Sequence, residues 1–231
     1  MSCGSPGYTV SIWWRELAAA NDGLVAYASS LSREETARSA RFAHPILRER
    51  YIIGRGTLRL LLSSVLHVAP REVVLGREPR GRPFVQDRPG VDFNVTHTRD
   101  IAAFAIATGV DDRYRLGVDV EYLARPVAVD RIARRILSPI ERAHIARLPE
   151  PERHSALLST WTCKEAMSKA TGDGLAAPFA RMSVEGTLAP RVLAGPGLYD
   201  PAHWTLHRVP IRSDLVLTLS IHQIAPQRHR A

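Results

Sequence analysis

The chain has 231 residues, enough for one large domain or two small ones, with 45% apolar and 23% charged residues, an ordinary globular composition. Runs of about 18 apolar residues are absent, the start "MSCGSPGYTV" has no basic, apolar leader, and two cysteines, Cys3 and Cys163, make no disulfide framework; the expectation is a cytoplasmic protein with free thiols, outside membranes. The net charge of +8 asks for an anionic partner: nucleic acid, a phosphorylated small molecule or an acidic protein.

In chain order, "YTVSIWW" (8–14) reads as a strand. Ser32 with Glu35 three places on forms a capping box, so a helix follows over 32–42. Pro45 opens a second helix over 46–67, in which Gly54 and Gly56 are weak points. Residues 33–82 carry eleven arginines, five glutamates and no aspartate. The period then changes: "REVVLGRE", "RPFVQ", "VDFNVTH" and "IAAFAIAT" are short β-type runs that predict a small antiparallel sheet. "RLGVDVEYL" (115–123) is a further strand, and helices follow near 130–136 and 138–147. A stronger helix spans about 152–171, with Pro151 at its start and Gly172 at its exit. "ARMSVEG", "HWTLHRV" and "LVLTLSIH" return to strands. Strands, helices and strands therefore occur twice, predicting an α+β fold of two similar halves, each a small antiparallel sheet packed with helices. The halves are taken as 1–110 and 111–231.

Two stretches carry chemistry. In "GVDVE" (117–121) the period of a strand sends Asp119 and Glu121 to one face and Val118 and Val120 to the other. Side-by-side carboxylates suit a cation such as Mg²⁺; from spacing alone, an exposed acidic edge strand is the stronger reading. "WTCKEAMSKATGDGL" (161–175) contains Lys164 and Lys169, the chain's two lysines among 31 basic residues. Glu165 and Lys169 are four apart and share a helical face, as a surface ion pair or as a carboxylate and a phosphate ligand; Lys164 points elsewhere. "FNVTHT" (93–98) and "RGRPF" (80–84) are weaker, the first a strand end with two hydroxyls and an imidazole, the second a basic turn.

Together and in order, "RGRPF", "FNVTHT", "LGVDVEYL" and "WTCKEAMSKATGDGL" make the chain resemble the Sfp-type 4′-phosphopantetheinyl transferases. The last two blocks match the family's G-[IV]-D-[IVL]-E strand and W-x-x-K-E-[AS]-x-x-K helix without a gap. The resemblance implies a pseudo-twofold fold and transfer of the 4′-phosphopantetheine arm of coenzyme A to a serine of an apo acyl or peptidyl carrier protein. The reaction would be Mg²⁺-dependent, with Mn²⁺ an alternative, and would release adenosine 3′,5′-bisphosphate from a cleft between the halves. It implies Asp119, Glu121 and Glu165 as metal carboxylates, Glu165 also as base, and Lys169 on the pyrophosphate. Thr96 and His97 match a Ser-His pair on the phosphates, and Arg82 and Pro83 match a Lys-Pro pair beside the adenine. Gly81 and Asn94 fall with them in the coenzyme A-binding set, and Arg38, with Arg77 second to it, matches a basic residue on the 3′-phosphate. Arg82 in place of lysine keeps the charge and changes its geometry. The implied carrier is acidic and the enzyme a monomer, since two halves in one chain complete one cleft. A nucleic-acid binder, prompted by the charge, lacks zinc spacing, an RNP motif or a recognition helix. A degenerate member is argued against by the full set of carboxylates with Lys169.

Overall fold

The chain runs through one series of elements twice. The computed structural model describes residues 7–18, 23–126 and 129–224, so Cys3 lies outside the described residues. The first series is β1 (Thr9–Glu16), α1 (Leu24–Ser30), α2 (Arg33–Ser39), α3 (Pro45–Leu66), β2 (Leu75–Arg77), β3 (Pro83–Val85), β4 (Val91–Thr98) and β5 (Ile101–Thr108). The second is β6 (Tyr114–Tyr122), α4 (Val129–Ile136), α5 (Pro139–Arg147), α6 (Glu150–Thr171), β7 (Ser183–Glu185), β8 (Arg191–Ala194), β9 (Trp204–Val209) and β10 (Leu215–Gln223). The main sheets are antiparallel, in the orders β1-β5-β4 and β6-β10-β9; β2-β3 and β7-β8 form separate two-stranded ribbons. In each half the first strand pairs with the last, and the penultimate strand takes the far edge. The expected α+β architecture of small antiparallel sheets packed with helices is what forms.

Local signals explain most of the boundaries. The Ser32 hydroxyl accepts from Glu35 N at 3.2 Å, and the Glu35 carboxylate accepts from Ser32 N at 3.0 Å. Ser138 and Glu141 repeat the box at the start of α5, a second copy that the sequence reading passed over. α3 runs unbroken through its glycines because Gly56 is where α1 crosses. A Cβ there would sit 2.7 Å from Tyr27 Cβ and 2.8 Å from its backbone. α6 starts at Glu150 and ends on Gly172, whose φ of 79° suits glycine. α1 and β8 had no clear signal in sequence.

The repeat extends to a buried lock. Each half has a 22-residue helix whose fifteenth residue is a buried cation, Arg59 in α3 and Lys164 in α6. Arg59 is ion-paired with Glu35 and donates to Pro70 O at 2.7 Å and Val73 O at 3.0 Å. Lys164 is fully buried and donates to Glu141 Oε2 at 2.5 Å, Ile136 O at 2.7 Å, Phe179 O at 2.8 Å and Met182 O at 2.9 Å. Both cations reach the glutamate of the capping box and thereby tie a short helix and a loop to the long one. Acceptors gathered around one point suit an ammonium, whose three N–H bonds are shared among the four, better than a flat fork. Burial pulls the Lys164 pKa below the ordinary lysine value, and Glu141 opposes that shift.

The core is layered accordingly. Val118, Val120, Leu217 and Leu219 from the second sheet pack with Ala103, Ala105 and Ala107 from the first. α3 covers the other face of β4 and β5 through Ile53, Leu58, Leu62, Phe93 and Phe104. α6 packs on the second half through Leu157, Cys163, Met167 and Ala170. Cys163 is buried and free, and burial pushes its thiol pKa up, as expected of a packing residue.

Candidate active site

β4 and β6 are sheet edges that face each other, joined through side chains. Asp92 Oδ2 accepts from Leu116 N at 2.7 Å and Asn94 Oδ1 from Val118 N at 3.2 Å. Thr96 Oγ1 donates to Asp119 Oδ1 at 3.0 Å, and Thr98 Oγ1 to Glu121 Oε2 at 2.7 Å. The even-numbered residues of β4 therefore face the seam, while Val95, His97 and Arg99 face a cleft on the other side. Asp119 and Glu121 are each 6% exposed, which overturns the reading of a wet acidic edge. Asn94 is committed at both ends of its amide, since Nδ2 reaches Lys169 O at 3.5 Å.

α6 lies directly on β6 because residue 117 is glycine. A Cβ there would overlap Ala166 O and sit 2.8 Å from Ala170 N. This approach brings Glu165 and Lys169, one turn apart, over the seam. Lys169 Nζ donates to Asp119 Oδ1 at 2.6 Å and Thr96 Oγ1 at 2.7 Å. Asp119 Oδ2 is buried with no donor, and among the described residues Glu165 is in no hydrogen bond or ion pair. Burial, and then the Asp119 charge, push the Glu165 pKa up. Burial and the Lys169 ammonium push the His97 pKa down.

These donor atoms fit a hard divalent cation. An unpaired buried carboxylate oxygen on Asp119 and a carboxylate without donors on Glu165 meet the need of Mg²⁺ for one or two carboxylates. Glu121 is held by Thr98 and by an ion pair with Arg125, so among the described residues no three ligand side chains stand gathered as a finished cage.

The cleft beside the seam is about 580 Å³ and belongs wholly to the first half. Six arginines and two glutamates line it. Arg55 and Arg59 share Glu35, while Arg38, Arg50, Arg77 and Arg99 are in no ion pair among the described residues. Arg38 and Arg77, named from the resemblance, line this cleft; Arg50 and Arg99, not named from sequence, line it too, and Arg99 continues the odd-numbered face of β4. The second half repeats the cleft between α5, α6 and β9, at about 710 Å³. There His144 takes the place of Arg38 and Leu148 that of Phe42. Its two arginines are tied down, Arg208 by Thr187 O and Thr218 and Arg212 by Asp214 and Glu16. Among the described residues, the first cleft is the more arginine-rich, with six against two.

Arg82, which the resemblance puts beside the adenine, has its guanidinium in the seam. Its side chain is buried, with Nη2 bonded to both Asp92 oxygens at 3.0 and 2.7 Å and to Leu116 O at 3.0 Å. The guanidinium braces the seam and faces away from the basic cleft. Gly81 sits in the β2-β3 turn with φ 89°, its N–H on Glu78 O at 2.7 Å, and Pro83 begins β3. The turn docks on the end of α6 through an Arg80–Asp173 ion pair, and Glu78 pairs with Arg115 at 2.8 Å.

Residues 115–220 match the family described as the 4′-phosphopantetheinyl transferase superfamily, and residues 16–109 match a 4′-phosphopantetheinyl transferase N-terminal family. HetI of Nostoc sp. strain PCC 7120, a 4′-phosphopantetheinyl transferase, is 36% identical over 170 residues, covering 72% of this chain and 70% of that protein. Sfp of Bacillus subtilis strain 168, also a 4′-phosphopantetheinyl transferase, is 26% identical over 160 residues, covering 68% and 67%. With a doubled α+β topology, a carboxylate and lysine seam and matches in both halves, the chain belongs to the 4′-phosphopantetheinyl transferase superfamily.

Proposed function

We propose that the protein is an Sfp-type enzyme that moves the 4′-phosphopantetheine arm of coenzyme A onto a serine of an apo acyl or peptidyl carrier protein. The observation that carries this reading is the donor-free oxygen of Asp119 beside the donor-free carboxylate of Glu165, with Lys169 between them and the arginine cleft. Arg38, Arg50, Arg77 and Arg99 would hold the nucleotide phosphates, and His97 and Lys169 the pyrophosphate where cleft and seam meet. A divalent cation, held by Asp119 and Glu165 with Glu121, would neutralise the pyrophosphate and the leaving group. Glu165, its pKa raised, takes the serine proton directly or through a water as the new P–O bond forms and adenosine 3′,5′-bisphosphate leaves with the electrons of the old one. The division at 110/111 belongs to the same proposal, supported by the repeated element order. So do a monomeric state and a cytoplasmic location; no helix among the described residues is long and apolar enough to cross a membrane.

The test is to mix the protein with an apo carrier protein, coenzyme A and Mg²⁺ and measure the mass of the carrier. A phosphopantetheine adduct that requires the metal is expected. No adduct on fatty-acid, polyketide or peptide carriers, together with salt-sensitive DNA binding, would favour the nucleic-acid reading instead.

A further inference from the structure

Of Asp119, Glu121 and Glu165, Glu121 is the one with both carboxylate oxygens taken. Oε2 accepts from Thr98 Oγ1 at 2.7 Å, and Oε1 is ion-paired with Arg125 Nη1. Arg125 follows β6 in a turn fixed by its own N–H on Tyr122 O at 2.9 Å, and its side chain is 44% exposed. The guanidinium also acts on Glu165 through space. Three carboxylates thus share two cations, Lys169 on Asp119 and Arg125 on Glu121. A divalent ion entering the cluster meets both as like charges. Lys169 keeps a second anchor on Thr96 and is assigned to the pyrophosphate; Arg125 stands at the rim with open solvent to turn into.

We infer that Arg125 is a resident counter-ion that competes with the divalent cation for Glu121, and so holds down metal affinity until the phosphates of coenzyme A add their negative charge. Arg125 is a positioning residue in this scheme, acting through Glu121. The inference rests on the reading of the seam as a metal site.

The test is direct titration with Mn²⁺, following free Mn²⁺ by electron paramagnetic resonance, in the absence of coenzyme A and carrier. Arg125→Gln and Arg125→Ala are each expected to bind Mn²⁺ about three- to tenfold tighter than wild type. Arg113→Gln removes the same charge from an exposed pair with Asp111 on the loop before β6, and is expected to leave the affinity unchanged. Addition of coenzyme A is expected to shrink the difference between wild type and Arg125→Gln. Equal or weaker Mn²⁺ binding by both Arg125 variants, at wild-type melting temperature, overturns the competition. An equal gain in Arg113→Gln reduces it to net charge and also overturns it. No Mn²⁺ binding by any protein overturns the metal reading itself, and the inference with it.

Discussion

Replacing Lys164 by methionine separates the two lysines by experiment. The ammonium is fully buried against four acceptors, and the substitution leaves Glu141, 4% exposed, with its charge unpaired. Its other partners are the backbone amides of Ser138 and Val184 at 2.7 and 2.9 Å, which bind the carboxylate without cancelling its charge. Removing one member of a buried pair costs about 3–5 kcal/mol. At about 2–4 °C per kcal/mol for a chain of this size, Lys164→Met should melt roughly 6–20 °C below wild type. Lys164→Met/Glu141→Gln should recover part of that, because the stranded charge is gone. Arg59→Met should fall by less, because Glu35 keeps its ion pair with Arg55. Lys169→Met removes an ammonium that is 28% exposed from a buried carboxylate, so it should lower the melting temperature by less than Lys164→Met, whose pair is buried on both sides, while transfer is lost. The assay is differential scanning calorimetry alongside carrier modification. Indistinguishable melting of Lys164→Met and wild type would refute the lock.

Gly117→Ala should force α6 off β6; overpacking of this kind costs about 1–3 kcal/mol, and a misplacement near 1 Å can lower turnover about 10²-fold, so activity measured well below the melting transition should fall far more than stability. Glu165→Gln should reduce transfer about 10²–10⁴-fold in a folded protein, and Asp119→Ala should abolish it; near-normal turnover in either would sink their assignment. Lys169→Arg should be clearly impaired, since a fork cannot reproduce the contacts with Asp119 and Thr96, and steady-state kinetics will read this. His222 is stacked on Trp204 with a pKa held down by burial to about 4 against an ordinary 6.5. It stays neutral in the fold while the unfolded chain takes up the proton, so stability is full above pH 6.5 and falls through the window down to about pH 4, by about 1.4 kcal/mol per unit. Melting curves of His222→Phe should lose that part of the acid slope.

What the sequence made legible was periodic or local. The Ser32 box, the Gly172 exit and the alternation of 117–121 each act within a few residues, and all three appear in the fold. Lys164 and Arg82 were opaque because their partners are remote or unremarkable in sequence: Glu141 and three carbonyls for one, Asp92 and Leu116 O for the other. Burial inverted the reading of Asp119 and Glu121, since no edge strand announces from its own residues that another edge will close over it. The internal repeat was present in the letters as Ser-x-x-Glu before each long helix and a cation at the fifteenth place within it. Arginine in one copy and lysine in the other concealed it.

β4 serves two rooms with one wall. Its alternate side chains close the seam on one side and line the arginine cleft on the other. A slip of one residue would exchange the two sets, turning His97 toward the carboxylates and Thr96 toward the arginines. Insertions and deletions should therefore be tolerated in the turn at 86–90, where the chain can absorb them before the strand begins, and be lethal to activity between Val91 and Thr98, even where every residue type is kept.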